Sequence, residues 1–480
     1  MKENLKGSKP NILLIISDDH GYGDVSFRGV NEDVNTPNLD RLRESGMLLE
    51  QGYVSAPVCS PSRAGLMFGA YQQRWGAKYF GSAKFAPDKF MTIPEILKQA
   101  GYNTGYFGKV HYGPDKPGDR SNPDKHGFDE SFYGLAALGF GRLDYLQHEF
   151  NAKEKYGEQA VVHNKFTLYE NGNPVECHNF LTYEFADRTM KFIEDQKNSE
   201  NPYFCMLTFN AVHNFTWQLP KEELEKRGLP IYEDFNPDEV EYVDWYDGVI
   251  MPNLPNGRKY YLAQLELMDE KIGEVLDKIE ELGQSENTLI IYMTDNGGSP
   301  CNYGNNSPLT GTKYTLFEGG IRVPFIASWK NVIKPNSISL NLSSSLDLLS
   351  TFAYLADAKI PECNYNDGVN LIPTLLGEKG GHDLLYFDTG FQYAVRDNEW
   401  KFIGNDTEES KKAREELLKI EHADIGSDNR LYNILENVNE DIKFNKIAEN
   451  QSKVDELLFK FNEWKKDIDE SKNKIENIHK

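Results

Sequence analysis

The chain has 480 residues, more than one ordinary compact domain contains, so we expect a large domain accompanied by a smaller one. A formal net charge of −23 excludes a nucleic-acid binder held by general electrostatics, because the protein would repel a polyanion. No apolar run approaches the length needed to cross a bilayer, so we expect no membrane partner.

The amino-terminal segment is polar and leads into a short apolar strand. Residues 1–10 contain no signal-peptide core, so the sequence as it stands predicts a cytoplasmic protein, or a periplasmic or secreted one if a signal was removed. The run 11–17 predicts a buried strand that ends at Asp18 and Asp19.

Three further apolar runs predict strands that alternate with helices. These runs are 102–108, 203–210 and 288–294. Thr92 and Glu95 form a capping box for a helix over 93–99, and apolar residues at helical spacing predict a longer helix over 258–282. The alternation indicates an α/β fold with a central, mainly parallel sheet that is flanked by helices.

The character of the sequence changes after about residue 372, so we divide the chain into a large domain, 1–372, and a smaller α+β domain, 373–480. Short strands that predict an antiparallel sheet cover 386–388, 393–396 and 400–403. An apolar stripe from Val454 to Trp464 predicts a helical tail, which we expect to be solvated or frayed beyond about Asp469.

The cysteines are odd in number and scattered, which predicts neither a disulfide framework nor a zinc site. They are Cys59, Cys177, Cys205, Cys301 and Cys363. Cys205 lies inside an apolar run, which is typical of a buried small hydrophobic residue.

Polar and charged residues follow each of the four predicted strands. In chain order these residues are Asp18 and Asp19, Lys109 and His111, His213, and Asp295 and Asn296. One aspartate after a strand is usually a helix cap or a turn residue. Because ligands of open α/β sheets bind beyond the carboxyl ends of the strands, four such strands together predict a functional site.

The residues of this predicted site divide into two chemical groups. Asp18, Asp19, Asp295 and Asn296 offer hard oxygen ligands, which favour calcium or magnesium over zinc. The second group is cationic and suits an anion and proton exchange. It comprises Lys109, His111, His213 and Lys313.

The segment Cys59-Ser60-Pro61-Ser62-Arg63 resembles the C-x-P-S-R signature of the sulfatase family, in the alkaline-phosphatase-like superfamily. Other segments resemble that family in the same order along the chain. They are 11–19, 36–40, 108–111, 210–213 and 307–324. The resemblance covers most of the chain and implies a catalytic sulfatase domain over 1–372.

The resemblance implies a sulfuric ester hydrolase that acts on sulfate monoesters. A sulfatase-maturing enzyme would convert Cys59 to Cα-formylglycine, and the nucleophile would form a covalent sulfo-enzyme intermediate. The metal is expected to be Ca²⁺ rather than Mg²⁺. Its implied ligands are Asp18, Asp19, residue Cys59 in its converted form, Asp295 and Asn296.

The resemblance also implies roles for the remaining residues. Arg63 would hold the nucleophile's oxygen in place, and Lys109 and Lys313 would neutralise the sulfate oxygens. His213 would act as general acid at the leaving oxygen. His111 would hydrogen-bond the formylglycine hydroxyl and assist the release of sulfate.

The segments 71–74, 126–129 and 210–213 look most like sulfatases of sulfated galactose or N-acetylgalactosamine, so we expect a sulfated saccharide as substrate. Candidate sugar-site residues are Arg142, Asp144, Tyr145, His148 and Trp217. An ordinary surface or core role fits each of them equally well. The net charge of −23 predicts a preference for terminal sulfates on short oligosaccharides over long sulfated polymers.

Two other functions remain open at this point, as does the oligomeric state. A phosphonate monoester or phosphodiester hydrolase of the same superfamily could use the same formylglycine. If Cys59 is not converted, a sulfated-glycan binding protein would keep the metal and the anion site without turnover.

Overall fold

The computed structural model describes most of the chain. The described residues are 5–79, 84–114, 116–135, 168–232, 238–241, 244, 248–405 and 407–478. Each helix among them is too short or too polar to span a bilayer.

The β-strands form one large and one small sheet, together with a short two-stranded pair. In chain order the strands are β1 (Asn11–Ser17), β2 (Met47–Leu49), β3 (Gly52–Tyr53), β4 (Asn103–Lys109), β5 (Glu130–Gly134), β6 (Leu168–Glu170), β7 (Asn173–Val175), β8 (Tyr203–Thr208), β9 (Thr288–Thr294), β10 (Phe325–Ser328), β11 (Ser337–Ser339), β12 (Ser343–Ser344), β13 (Leu384–Asp388), β14 (Tyr393–Asp397), β15 (Trp400–Gly404) and β16 (Arg430–Asn433). The large sheet has the order β11-β2-β10-β9-β1-β8-β4-β5-β6-β7, and the small sheet has the order β13-β14-β15-β16.

Helices cover the large sheet and extend into the carboxyl-terminal region. The described α-helices are α1 (Pro37–Ser45), α2 (Cys59–Phe68), α3 (Ile93–Gln99), α4 (Leu181–Asp195), α5 (Lys221–Arg227), α6 (Gly257–Glu281), α7 (Glu318–Ile321), α8 (Asp347–Ala356), α9 (Ile372–Leu375), α10 (Glu408–Ile420) and α11 (Gln451–Ile478). The predicted capping box is present at α3, where Thr92 Oγ1 accepts from the Glu95 amide over 3.3 Å and the Glu95 carboxylate accepts from the Thr92 amide over 2.8 Å.

The centre of the large sheet is parallel, as the sequence predicts. β1 pairs in parallel with both β8 and β9, and β4 pairs in parallel with β8. The register places Ser17 beside Thr294 and Ile16 beside Thr208, so the carboxyl ends of these strands meet at one edge. β4 spans 103–109 and β8 ends at Thr208, which shifts the predicted bounds by one or two residues.

The apolar run of β1 is explained by burial on both faces of the sheet. Ile12, Leu14 and Ile16 join one hydrophobic cluster, whereas Leu13 and Ile15 join the cluster on the opposite face. A strand that is covered on both sides needs an unbroken apolar sequence rather than an alternating one.

The small antiparallel sheet packs against the long helix α11. Val454, Leu457 and Phe461 of this helix share a hydrophobic cluster with Val395 and Phe402 of the sheet. The fold class is therefore confirmed: a large, mainly parallel sheet flanked by helices and a separate small antiparallel sheet. The domain boundary at residue 372 stays a prediction.

The expectation that the tail is frayed beyond about Asp469 is wrong. Helix α11 continues to Ile478, and both Ser471 and Ile475 are buried. Arg74 Nη1 donates to Ser471 Oγ over 3.0 Å. The end of the helix is therefore packed through one polar contact, at Ser471, and one apolar residue, Ile475, which joins the large hydrophobic cluster.

Candidate active site

Parallel strands bring the predicted site residues to one edge of the large sheet. Each of four strands delivers polar or charged residues at or after its carboxyl end. In the order β1, β4, β8 and β9, these residues are Asp18 and Asp19, Lys109 and His111, His213, and Asp295 and Asn296. Each of these side chains is buried, with no more than 6% of the residue surface exposed. The structure therefore gathers the set that the strand ends predict.

Helix α2 contributes Cys59 and Arg63, which lie one turn apart on the same helical face. Cys59 Sγ lies 3.5 Å from Asp18 Oδ1 and 3.9 Å from Asp19 Oδ1. One potential ligand atom from each of Asp18, Asp19, Cys59 and His213 lies within 4.8 Å of the others. Residue 59 thus lies within hydrogen-bonding range of two carboxylates and within 4.8 Å of an imidazole nitrogen.

Arg63 connects α2 to the ends of three strands. Its Nε donates to Asp295 Oδ2 over 2.7 Å, and its Nη1 donates to the Lys109 carbonyl over 3.0 Å. Its Nη2 lies 3.9 Å from Asp18 Oδ2. The guanidinium therefore holds the helix that carries Cys59 against the acidic cluster.

Two lysines lie on either side of the carboxylates. Lys109 Nζ donates to Asp18 Oδ2. Lys313, on the loop between β9 and α7, places Nζ 2.8 Å from Asp19 Oδ1 and 2.9 Å from Oδ2. His213 Nε2 lies 3.2 Å from Lys313 Nζ and 3.5 Å from Asp19 Oδ2. Cationic side chains are therefore concentrated at this site, where each lysine is paired with a carboxylate.

The acidic residues fit a divalent cation. Burial raises the pKa of both Asp18 and Asp19 despite the lysines beside them, so the cations present do not fully compensate these carboxylates. Asn296 Nδ2 donates to Asp19 Oδ1 over 2.7 Å, while Asn296 Oδ1 is buried and has no hydrogen-bond partner among the described residues. Oxygen donors of this kind suit a hard metal ion.

His111 is a buried, neutral imidazole. Burial lowers its pKa, and the positive charges of Lys109, Arg63 and Lys313 lower it further. Its Nδ1 has no hydrogen-bond partner within the part of the chain that the structure describes. The ring is therefore neutral and has a nitrogen available for a further hydrogen bond.

The unmodified thiol of Cys59 is a poor nucleophile. Burial raises its pKa well above the ordinary value, although the charges of Lys313 and Lys109 act in the opposite direction. The thiol is therefore protonated at neutral pH, and the thiolate is the reactive form of cysteine. Its sulfur occupies the place where a converted residue would present oxygen.

A comparison with protein families identifies the chain. The family model described as Sulfatase matches residues 10–358. The chain belongs to the sulfatase family. Sulfatases are sulfuric ester hydrolases that generally use a formylglycine and a metal ion. The matched range contains every predicted site residue from Asp18 to Lys313.

The chain is similar to several individual sulfatases. It is 29% identical to N-acetylgalactosamine-6-sulfatase of Mus musculus, over 82% of this chain and 71% of that protein. It is 31% identical to the enzyme of the same name from Canis lupus familiaris, over 77% of this chain and 66% of that protein. The crystal structure of Ps i-CgsB in complex with k-i-k-neocarrahexaose superposes with a TM-score of 0.77, at 28% identity, over 95% of this chain and 92% of that one.

Of the five predicted sugar-site residues, the structure describes Trp217 alone. Arg142, Asp144, Tyr145 and His148 lie outside the described residues. Trp217 is buried, with 3% exposed, and its ring packs in the hydrophobic core. Its ring centroid lies 5.8 Å from that of Phe215.

Sequence reasoning assigned no role to Asn306, yet its side chain connects two parts of the sulfatase site. Asn306 Oδ1 accepts from the Gly298 amide over 2.8 Å and from the Tyr22 amide over 3.2 Å, while Nδ2 donates to the Gly298 and Gly311 carbonyls. The Lys313 amide in turn donates to the Gly298 carbonyl over 3.0 Å. The sequence around Asn306 is typical of an ordinary turn, so no local signal reveals this contact.

Proposed function

We propose that this sulfatase hydrolyses sulfate monoesters on sugars of the galactose or N-acetylgalactosamine type, with a formylglycine made from Cys59 and a bound Ca²⁺. The names of the mouse and dog relatives support this sugar class. The complex of Ps i-CgsB with k-i-k-neocarrahexaose supports a sulfated saccharide.

The position of Cys59 carries the proposal. Its Sγ lies within hydrogen-bonding range of two carboxylates, each of which is paired with a lysine, and beside His213. A sulfate ester needs cations around its charged oxygens, a nucleophile at sulfur and an acid at the departing alkoxide. This arrangement supplies the cations and the acid, and conversion of Cys59 would supply the nucleophile.

The residues fit a calcium ion. Asp18, Asp19, Asp295 and Asn296 would hold it together with converted residue 59, and the orphaned Asn296 Oδ1 supports a ligand at that point. We favour Ca²⁺ over Mg²⁺ because Ca²⁺ accepts many protein oxygens in irregular geometry. When bound, the ion supplies positive charge that offsets the nucleophile and the sulfate oxygens.

The cationic side chains act on the sulfate and on the leaving group. Conversion of Cys59 would supply an aldehyde hydrate whose hydroxyl attacks sulfur and gives its proton to Asp18, whose Oδ1 lies 3.5 Å from Cys59 Sγ. Lys109 and Lys313 stabilise the charge that develops on the sulfate oxygens. His213, close to Lys313, donates a proton to the sugar oxygen as the bond between that oxygen and sulfur breaks.

His111 completes the cycle. Its Nδ1, which has no hydrogen-bond partner among the described residues, would accept the proton of the remaining hydroxyl of residue 59 as the carbon–oxygen bond to sulfate breaks and the aldehyde carbonyl forms again. Sulfate would then leave without attack by a water molecule. Arg63 keeps the acidic cluster and α2 together through these steps.

Release of inorganic sulfate from terminally sulfated galactose and N-acetylgalactosamine oligosaccharides tests the proposal. The chain is expressed with a sulfatase-maturing enzyme, alongside a Cys59→Ala variant and a matched Cys205→Ala control whose cysteine is buried away from the site. We expect turnover by the wild-type chain and the control but none by Cys59→Ala. Faster hydrolysis of phosphodiesters or phosphonate monoesters would favour that alternative activity, and saccharide binding without turnover would favour the glycan-binding alternative.

The net charge of −23 supports a preference for short substrates within this proposal. The field of an acidic protein repels a long sulfated polymer, whereas a terminal sulfate on a short oligosaccharide needs only the local lysines. Rates per terminal sulfate on oligosaccharides should therefore exceed those on the intact polymer. Faster turnover of the polymer would contradict this preference.

A further inference from the structure

A buried ion cluster joins the small carboxyl-terminal sheet to the loop that carries Lys313. Lys401, on β15, is completely buried, and its Nζ lies 3.0 Å from Glu318 Oε1 and 2.9 Å from Glu440 Oε1. Glu318 is the first residue of α7, and Glu440 follows β16; both are also completely buried. Lysine and glutamate are almost never buried in this way unless they are paired.

The Glu440 side chain also holds the backbone of the loop that carries Lys313. The Glu318 amide donates to Glu440 Oε2, and the Glu440 amide donates to Thr310 Oγ1 over 2.9 Å. Thr310 Oγ1 donates onward to Asn439 Oδ1 over 3.1 Å. Residues 439–440 therefore fix the loop on both sides of Lys313.

A third contact between the small-sheet region and the loop lies between Thr310 and Glu318. The Leu316 amide donates to Gln392 Oε1 over 2.8 Å, and Gln392 Nε2 donates to the Ile425 carbonyl over 3.1 Å. Gln392 lies just before β14 and is buried, with 1% exposed. The carboxyl-terminal region thus contacts this part of the chain at Thr310, Leu316 and Glu318, on both sides of Lys313.

The large domain also holds the backbone beside Lys313. The Lys313 amide donates to the Gly298 carbonyl over 3.0 Å, and the Tyr314 amide donates to the Pro57 carbonyl over 2.8 Å. Glu318 is held from this side by Tyr53, whose hydroxyl donates to Oε2 over 2.7 Å. The course of the loop is consequently set by both domains together.

We propose that Lys401 and Glu440 are positioning residues for Lys313, so that the small carboxyl-terminal region is part of the sulfate-binding apparatus. This inference rests on the proposed role of Lys313 at the sulfate. The buried pair fixes Glu318 and Thr310, which fix the loop, and the loop places Lys313 Nζ beside Asp19. A purely structural role would lower stability without acting through Lys313.

The test is a double-mutant cycle on turnover. Lys401→Met combined with Glu440→Gln removes one positive and one negative charge from the cluster, and Glu318 keeps Arg322, whose Nη1 lies 3.4 Å from its Oε2. This double variant is compared with the wild-type chain, and the same pair of changes is introduced into a Lys313→Ala background. Lys453→Met is the matched control, because Lys453 pairs with Asp397 over 2.7 Å in the same region but touches none of the loop contacts above.

We expect kcat/KM of the double variant to fall on the order of tenfold to a hundredfold, since a small displacement of a positioned group has effects of that size. The same changes should have no further effect once Lys313 is alanine. Lys453→Met should retain wild-type turnover. An equal loss in both backgrounds, or no loss in a folded double variant, would overturn the inference.

Binding of inorganic sulfate, measured by calorimetry, separates this inference from the proposed function. We expect the double variant to bind sulfate more weakly while its affinity for Ca²⁺ stays unchanged. If the wild-type chain hydrolyses no sulfate ester, the proposed function fails, and the effect on sulfate binding still decides the positioning role. Sulfate binding that is unchanged in the double variant contradicts the role of Lys401 and Glu440 directly.

Discussion

Arg63 Nε donates to Asp295 Oδ2 over 2.7 Å, with both side chains almost completely buried. The two residues lie far apart in the sequence, one on the helix that begins with Cys59 and the other after β9. Burial alone would raise the pKa of Asp295, but Arg63, Lys109 and Lys313 together outweigh that effect and the net shift is downward. Arg63 is the largest of these three contributions, so the ion pair helps to keep one member of the acidic cluster charged.

Replacement of Arg63 by methionine should destabilise the protein and abolish turnover. It leaves the Asp295 carboxylate buried without its partner, which costs about 3–5 kcal/mol in comparable cases. Urea unfolding measures the loss. Arg41→Met is the control, because the Arg41–Asp277 pair is largely exposed and should contribute at most about 1 kcal/mol. Equal stability of the two variants would refute the importance of the buried pair.

Removal of the Asn296 amide should weaken metal binding. Asn296→Ala deletes the buried Oδ1 that lacks a partner, so we expect Ca²⁺ affinity to fall at least about tenfold. Calorimetric titration with Ca²⁺ measures this change. Asn287→Ala, at the exposed opposite end of β9, is the matched control and should bind Ca²⁺ normally. Unaltered affinity in Asn296→Ala would remove Asn296 from the ligand set.

Replacement of His213 should slow hydrolysis to an extent that depends on the leaving group of the substrate. His213→Ala removes the proposed acid, so hydrolysis of sugar sulfates should fall by about 10²–10⁴-fold, since an alkoxide leaves poorly without a proton. An activated aryl sulfate, whose phenolate leaves unaided, should lose much less. The ratio of kcat/KM for the two substrates is the measurement. Equal losses on both would exclude the general-acid role.

The stability of the protein should decrease as pH rises above 6.5 because of His382. His382 Nε2 lies 2.5 Å from Asp347 Oδ1. Burial lowers the pKa of the histidine, but Asp347, together with Asp367 and Asp383, outweighs burial and raises the pKa above 6.5. The folded state therefore binds the proton more tightly than the unfolded state. This stabilisation is complete below pH 6.5 and is lost as pH rises through the folded pKa.

The test compares the unfolding free energy of His382→Gln with that of the wild-type chain, below pH 6.5 and at about pH 8. The difference between the two proteins should shrink at the higher pH. His178→Gln, which changes a largely exposed histidine, should show no such trend. A difference that grows with pH would contradict the account.

The sequence predicts the part of the site that depends on strand ends and on local motifs. Asp18 and Asp295 could be placed together because parallel strands end at one edge, and Cys59 could be recognised by its motif. These signals are local, since each lies within a few residues of a strand or a helix start. The structure adds the distances and the burial.

Contacts between distant segments could not be predicted in this way. Lys401 and Glu440 look like surface residues in sequence, because charged side chains are usually exposed and their partner Glu318 lies far away. The packing of Ser471 against Arg74 was missed for the same reason. Periodicity reveals an apolar face, but it carries no information about polar partners from another part of the chain.

The mass of the peptide that contains Cys59 tests the central claim most directly. The chain is expressed with a sulfatase-maturing enzyme that is shown, in the same cells, to convert a second sulfatase. We expect an aldehyde in place of the Cys59 thiol. The hydrate of this aldehyde is the nucleophile in the proposed mechanism, in which the surrounding lysines, carboxylates and His213 also act. An unmodified thiol at Cys59, with the second sulfatase fully converted, would contradict the formylglycine mechanism for this chain.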